Sequence, residues 1–147
     1  MTKFLLAVHV LAAIVAVGPV TVAASMFPPV ARRMAADPKD AGSTGTLRLL
    51  HRICRVYALV GVVVPVFGFA TASEMGVLGS AWLIVSIALT ALAAVVLAAL
   101  VLPAQSALVE GRDANPARLA MVTGVFNLLW ATVTVLMIVR PGSTTGA

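Results

Sequence analysis

Four long apolar runs separated by short polar breaks organise this chain. Residues 4–26, 53–72, 81–102 and 119–139 are almost free of charge, and each is long enough, at about 1.5 Å per helical residue, to cross a hydrocarbon core of about 30 Å. The pattern predicts an all-α fold, an integral membrane four-helix bundle in which residues 1–147 form one membrane domain. Pro28, Pro29, "DPKD" at 37–40 and "AGSTG" at 41–45 interrupt the first helical pattern, so residues 28–45 read as a loop. Thr46 then reads as the N-cap of a second helix that runs past Pro65. The stretches 71–80 and 109–116 read as short turns, the second ending in an Asn115 cap with Pro116 at the first helical position. Arg140 and Pro141 end the fourth helix, and residues 141–147 read as a mobile tail.

At 100° per residue, His9 shares a face with Ala12, Ala13, Ala16, Val20, Ala23 and Ala24, a small-residue stripe of the kind that lets membrane helices approach closely. On the third span Ser86 and Thr90, and on the fourth Thr123, Asn127 and Thr134, mark polar faces expected in the bundle interior. Counted from the helix ends, His9, Phe67, Ser86 and Thr134 fall at a common depth, about 8 to 10 Å below the surface.

Composition supports the membrane reading: 61% of residues are hydrophobic and 10% charged, against about 45 to 50% and about 25% in soluble domains. The net charge of +5 does not indicate nucleic acid, because the basic residues sit at span edges without interleaved aromatics. Arg32, Arg33, Lys39, Arg48, Arg52, Arg55, Arg112 and Arg118 flank one side of the spans and only Lys3 and Arg140 the other. The positive-inside rule therefore predicts a cytoplasmic loop at 28–45, with the N-terminus and C-terminus outside, in a multi-pass protein of the cell membrane. A cleavable signal peptide ending near "VAA" at 22–24 fits less well: the apolar run exceeds a signal core, and cleavage would export the arginine-rich segment. Cys54, the single cysteine, permits neither an internal disulfide nor a cysteine-pair metal site.

Arg48, His51, Arg52 and Arg55 form a basic stripe where the second helix leaves the membrane, suited to anionic membrane lipids or to the acidic face of a partner. Asp37, Asp40, Glu74, Glu110 and Asp113 all fall in predicted loops, so the membrane-embedded acid of a proton-coupled cation exporter is missing. No nucleophile stands beside a base within a span, which argues against hydrolase or transferase chemistry. An ionisable residue inside a span is a site candidate, and that residue is His9.

The motif "LLAVHVLAA" followed by a glycine, in a four-span chain of this length, resembles an uncharacterised family of predicted integral membrane proteins. That family is distantly similar to copper-resistance D proteins and to haem-binding membrane protoporphyrinogen oxidases. The resemblance is sharpest over residues 5–27 and 46–70. It implies that His9 is positioned as a haem ligand, with haem as the cofactor. The assisting lysine on a later helix has no counterpart, since Lys3 and Lys39 are the only lysines, so the oxidase activity does not carry over. Copper would want several soft or imidazole ligands at one depth, and only Met75 and Met137 approach that of His9. His51 lies at the opposite end of the spans and cannot complete a bis-histidine site. The expected function is a non-catalytic accessory or assembly subunit with a membrane protein partner or a second copy of itself; the alternative is a haem- or copper-binding redox protein built on His9.

Overall fold

The structure, a computed structural model, describes residues 1–143. Every regular element among them is helical: α1 (Thr2–Ala36), α2 (Ala41–Val60), α3 (Val63–Glu74), α4 (Ala81–Val95), a π-helical segment (Val96–Val101), α5 (Leu102–Val109) and α6 (Pro116–Val139). Together they make four rods long and apolar enough to cross a membrane: Thr2–Ala36, Ala41–Glu74, Ala81–Val109 and Pro116–Val139. The fold is the all-α four-helix bundle expected from the hydrophobic pattern.

The breaks inside the rods follow from proline, which has no N–H to donate to the carbonyl four residues before it. Pro65 leaves the Gly61 carbonyl without its helical partner, and the chain turns at Gly61 and Val62, where the Val64 N–H reaches Gly61 O at 3.1 Å. Ahead of Pro103 the ladder shifts instead to the wider π spacing, with the Leu102 N–H bonded to Leu97 O. Such local adjustments let membrane helices tolerate proline.

The expected loop at 28–45 is largely helical. α1 continues through Pro28 and Pro29 to Ala36, and only residues 37–40 form the turn. Tertiary packing overrides the breakers: Phe27, Val30 and Ala31, spaced three and four apart, are buried with Leu47 and Leu50 of α2, which holds the turns after the prolines in helical register. The second helix consequently starts earlier than expected. Its N-cap is Asp40, not Thr46: the Asp40 carboxylate accepts the Gly42 N–H at 3.0 Å and the Ser43 hydroxyl at 2.6 Å, while Thr46, inside α2, donates its hydroxyl to Gly42 O. The expected Asn115 cap is present, accepting from Ala117 N at 2.9 Å ahead of Pro116. Arg140, in the left-handed conformation at φ 47°, stops α6. Residues 141–143 form a turn after it, and the rest of the expected mobile tail, 144–147, lies outside the described residues.

The rods close into a ring. α1 packs along α2 and α3 on one side and against α6 on the other, α6 packs on α4 and the π-helical segment, and α5 returns to α2. The main core, including Phe27, Leu47, Cys54, Val101, Leu119 and Phe126, lies toward the end that carries the turns at 37–40 and 110–115, here the basic end. A smaller cluster of Ala72, Trp82 and Leu83, with Val77 and Met137 against it, holds the other end, where the Arg140 guanidinium lies over the Trp82 ring at 5.6 Å. Leu59, Leu128 and Ile138 are each more than 70% exposed on the outer surface, so the bundle presents an apolar girdle.

The Asp40 cap predicts an acid-sensitive start to α2. Its hydrogen bonds, led by Ser43, hold the carboxyl below its ordinary value of 3.8. A depressed carboxylate stabilises the fold above the unfolded value and loses that contribution as pH falls through the folded one. Amide exchange at Gly42 to Thr44 should therefore accelerate as pH drops below about 3.8, after correction for intrinsic exchange. Asp40→Ala should show the faster exchange already at neutral pH, with no further acid step.

Candidate functional site

Two places in the bundle gather the candidate chemistry, one at each end. Toward the terminal end, the stripe of α1 faces protein as its spacing predicts: Ala16, Val20, Ala23 and Ala24 are buried, and His9, Ala12 and Ala13 are half-buried. The imidazole does not reach Ser86 or Thr134. Its Nδ1–H donates to the Val64 carbonyl of α3 at 2.9 Å, the carbonyl bonded to Pro65. A side-chain carbon built on Gly68 would lie 2.8 Å from His9 Cε1, so the ring rests directly on the glycine backbone and only glycine leaves room for it. With Nδ1 fixed by a carbonyl, Nε2 is left as the ring's acceptor.

The expected interior polar residues divide. Ser86 is fully buried and Thr123 nearly so, while Thr90 and Asn127 are half-buried. Thr134 is exposed and donates its hydroxyl to Trp130 O on its own helix; a helix face defined by 100° steps includes positions at its margin that turn outward once the neighbours are in place. Ser86 and Thr90 likewise bond back, to Trp82 O at 2.8 Å and Ser86 O at 2.7 Å. The layer expected around His9 thus has no hydrogen bond joining its members among the described residues.

At the basic end the predicted stripe does come together. Arg48, His51, Arg52 and Arg55 line one groove of about 440 Å³ with Val56, Leu59 and Val109. The three arginines are exposed and His51 is half-buried. Arg48, Arg52, Arg55 and Leu59 follow one another at helical spacing along one face of α2, so three guanidinium groups precede an apolar strip.

His51 also points to a residue that the sequence reading missed. Gln105 of α5, fully buried, accepts from His51 Nδ1–H at 3.1 Å and donates through Nε2 to Cys54 Sγ at 3.6 Å. Cys54 in turn faces Val20 O at 4.0 Å. The third span was expected to end at residue 102, which placed Gln105 in a peripheral position; the available signal was a lone glutamine amid the apolar "VLPAQSALV". Beside the groove, Glu110 is held ionised below the usual carboxyl range by hydrogen bonds from Arg112 at 2.8 Å and Ser106 at 3.1 Å.

Among the described residues no three His, Cys, Asp or Glu side chains group as a metal cage. The chemistry on offer is anion binding in the groove and a single imidazole at the other end.

The close fit of His9 over Gly68 predicts a coupled pair. Gly68→Ala should lower unfolding stability in detergent by about 1 to 3 kcal/mol, the usual cost of overpacking. In a His9→Ala background the same substitution should be neutral or slightly stabilising, because alanine is the better helix former. Equal losses in both backgrounds would refute the contact.

Comparisons with protein-family models, curated proteins and solved structures found no match.

Proposed function

We propose that this chain is a non-catalytic, multi-pass accessory protein of the cell membrane that holds anionic lipid headgroups at its basic end and stabilises a membrane assembly there. The observation that carries the reading is the groove in which Arg48, Arg52 and Arg55 stand over Val56, Leu59 and Val109. Guanidinium groups fork onto phosphate oxygens, and the apolar strip below them continues toward the acyl region. In this reading the basic end is cytoplasmic, where anionic lipids give each nearby basic residue about 1 kcal/mol of attraction, and both termini are outside. The 35-residue α1, about 52 Å long, exceeds a hydrocarbon core of about 30 Å. Its surplus projects with the start of α2 at the basic end, within reach of a partner.

Changing Arg48, Arg52 and Arg55 together to Gln should reduce copurifying anionic lipid strongly at low salt and less at high salt, where screening has already weakened the attraction. Reporter fusions must show unchanged orientation in the variant. Equal lipid retention at every ionic strength would reduce the stripe to an anchor.

His9 supports a second reading, a haem-binding redox protein. A ring whose Nδ1–H is fixed by a carbonyl has its Nε2 oriented for a metal, and His9 has that arrangement through Val64. Bound haem would supply electron-transfer chemistry, with His9 as the residue holding the iron. In this reading the purified protein carries a haem absorption band that His9→Ala abolishes and His51→Ala leaves intact. Colourless protein after expression with ample haem would remove it.

A further inference from the structure

Five hydroxyl groups along the spans share one arrangement. Thr71, Ser86, Thr90, Thr132 and Thr134 each donate to the carbonyl four residues earlier, at 2.7 to 2.9 Å, which satisfies them inside their own helices. Thr21 of α1 and Thr123 of α6 do not. Their hydroxyl oxygens, with Asn127 Oδ1 and Trp130 Nε1, are buried polar atoms with no hydrogen-bond partner among the described residues.

These four are not scattered. Thr21 and Ser25 share a face of α1, and Thr123, Asn127 and Trp130 share a face of α6; the two faces are joined by Asn127 Nδ2 donating to Ser25 Oγ at 3.1 Å. Beside that bond opens a cleft of about 220 Å³, lined by Ser25, Pro28, Pro29, Arg32, Thr123 and Asn127, with Ala120 and Gly124 as its small-residue wall. Thr123 is 3% exposed. Leaving a buried polar group unpaired is costly, so Thr123 and Asn127, the two of these four that line the cleft, mark it as the seat of a polar ligand.

The donors identify its chemistry. Of the groups that line the cleft, Arg32 contributes only donors and the Thr123 hydroxyl can donate. The Asn127 amide keeps its Ser25 contact in either orientation, with the serine hydroxyl as donor in the second, and then turns N–H groups to the cleft. The ligand is therefore anionic and acceptor-rich. Its charge sits at Arg32, seven residues beyond Ser25 and about 10 Å nearer the basic end, and its neutral acceptors sit deeper, among apolar walls.

We infer that the cleft between α1 and α6 is a phospholipid site in which Arg32 holds the phosphate while Thr123 and Asn127 hold the glycerol ester carbonyls. The order of groups is that of a phospholipid in a membrane: phosphate at the interface, carbonyls below it, hydrocarbon deeper still. The site lies on the opposite side of the bundle from the Arg48 groove and shares no residue with it. It reads ester linkages, where the groove reads charge alone.

Because the chain has two tryptophans, Trp82→Phe leaves Trp130 as the only one, three residues from Asn127. The test is quenching of Trp130 in the detergent-purified full chain by brominated diacyl phosphatidylglycerol and by its diether analogue, which has the same phosphate but no ester carbonyls. The expected result is saturable quenching about thirtyfold tighter for the ester lipid, the worth of two net hydrogen bonds. Thr123→Val with Asn127→Leu should abolish the ester preference, and Arg32→Gln should weaken both lipids. Gln in place of Arg48, Arg52 and Arg55 should change neither, which separates this site from the groove. Thermal unfolding checks each variant, and Thr123→Val alone, nearly isosteric, serves if the double variant does not fold. Equal affinity for ester and ether lipids in the parent chain overturns the proposal. So does competition by free glycerol 3-phosphate as strong as by lipid, which would make this a site for a soluble phosphate ester.

Discussion

Backbone hydrogen bonding within four rods long and apolar enough to cross a membrane is the constraint on which the rest of the structure depends. Each unpaired N–H or C=O in hydrocarbon costs several kcal/mol, so a proline inside such a rod calls for a local rearrangement or for packing that holds the turn, as Pro65, Pro103 and the Pro28–Pro29 pair show. Pro65 displaces its partner carbonyl into the turn at Gly61 and Val62. Pro103 widens the ladder ahead of it into the π-helical segment, whose Val96, Leu97 and Val101 are buried. Pro28 and Pro29 leave α1 unbroken, because Phe27, Val30 and Ala31 are packed on α2.

Side-chain polarity follows the same accounting. Most span hydroxyls return to their own backbone, which adds no contact between helices. Polar contacts that cross helices are few and local among the described residues: His9 to the carbonyl beside Pro65, His51 through Gln105 to Cys54 and on to Val20 O, and Asn127 to Ser25. Together they join the first rod with the second, the second with the third, and the fourth with the first. Since lipid and core are similarly apolar, such contacts and close packing, more than hydrophobic transfer, decide how membrane helices associate.

The two ends of the bundle differ in consequence. The main core lies toward the basic end, beneath the arginine groove and the cleft at Arg32. The terminal end has the small Trp82 cluster with Arg140 over its ring and His9 seated on Gly68. Packed backbone beneath the arginines fixes where their long side chains start, and their tips remain exposed.

Hydropathy, charge and spacing in the sequence were enough to determine four helices, an all-α bundle, the inward stripe of α1 and the basic stripe of α2, because apolar run length and 3.6-residue periodicity are local properties. The Asn115 cap and the Arg140 stop were legible for the same reason. Tertiary packing decided what local signals misjudged. It kept α1 helical through Pro28 and Pro29, moved the α2 cap from Thr46 to Asp40, turned Thr134 outward and brought Gln105 inside. It also placed Thr123 and Asn127 across from Ser25, with Thr123 Oγ1 and Asn127 Oδ1 unpaired among the described residues. Those outcomes depend on which rod stands opposite, and a residue's own helix carries no record of its neighbour's register.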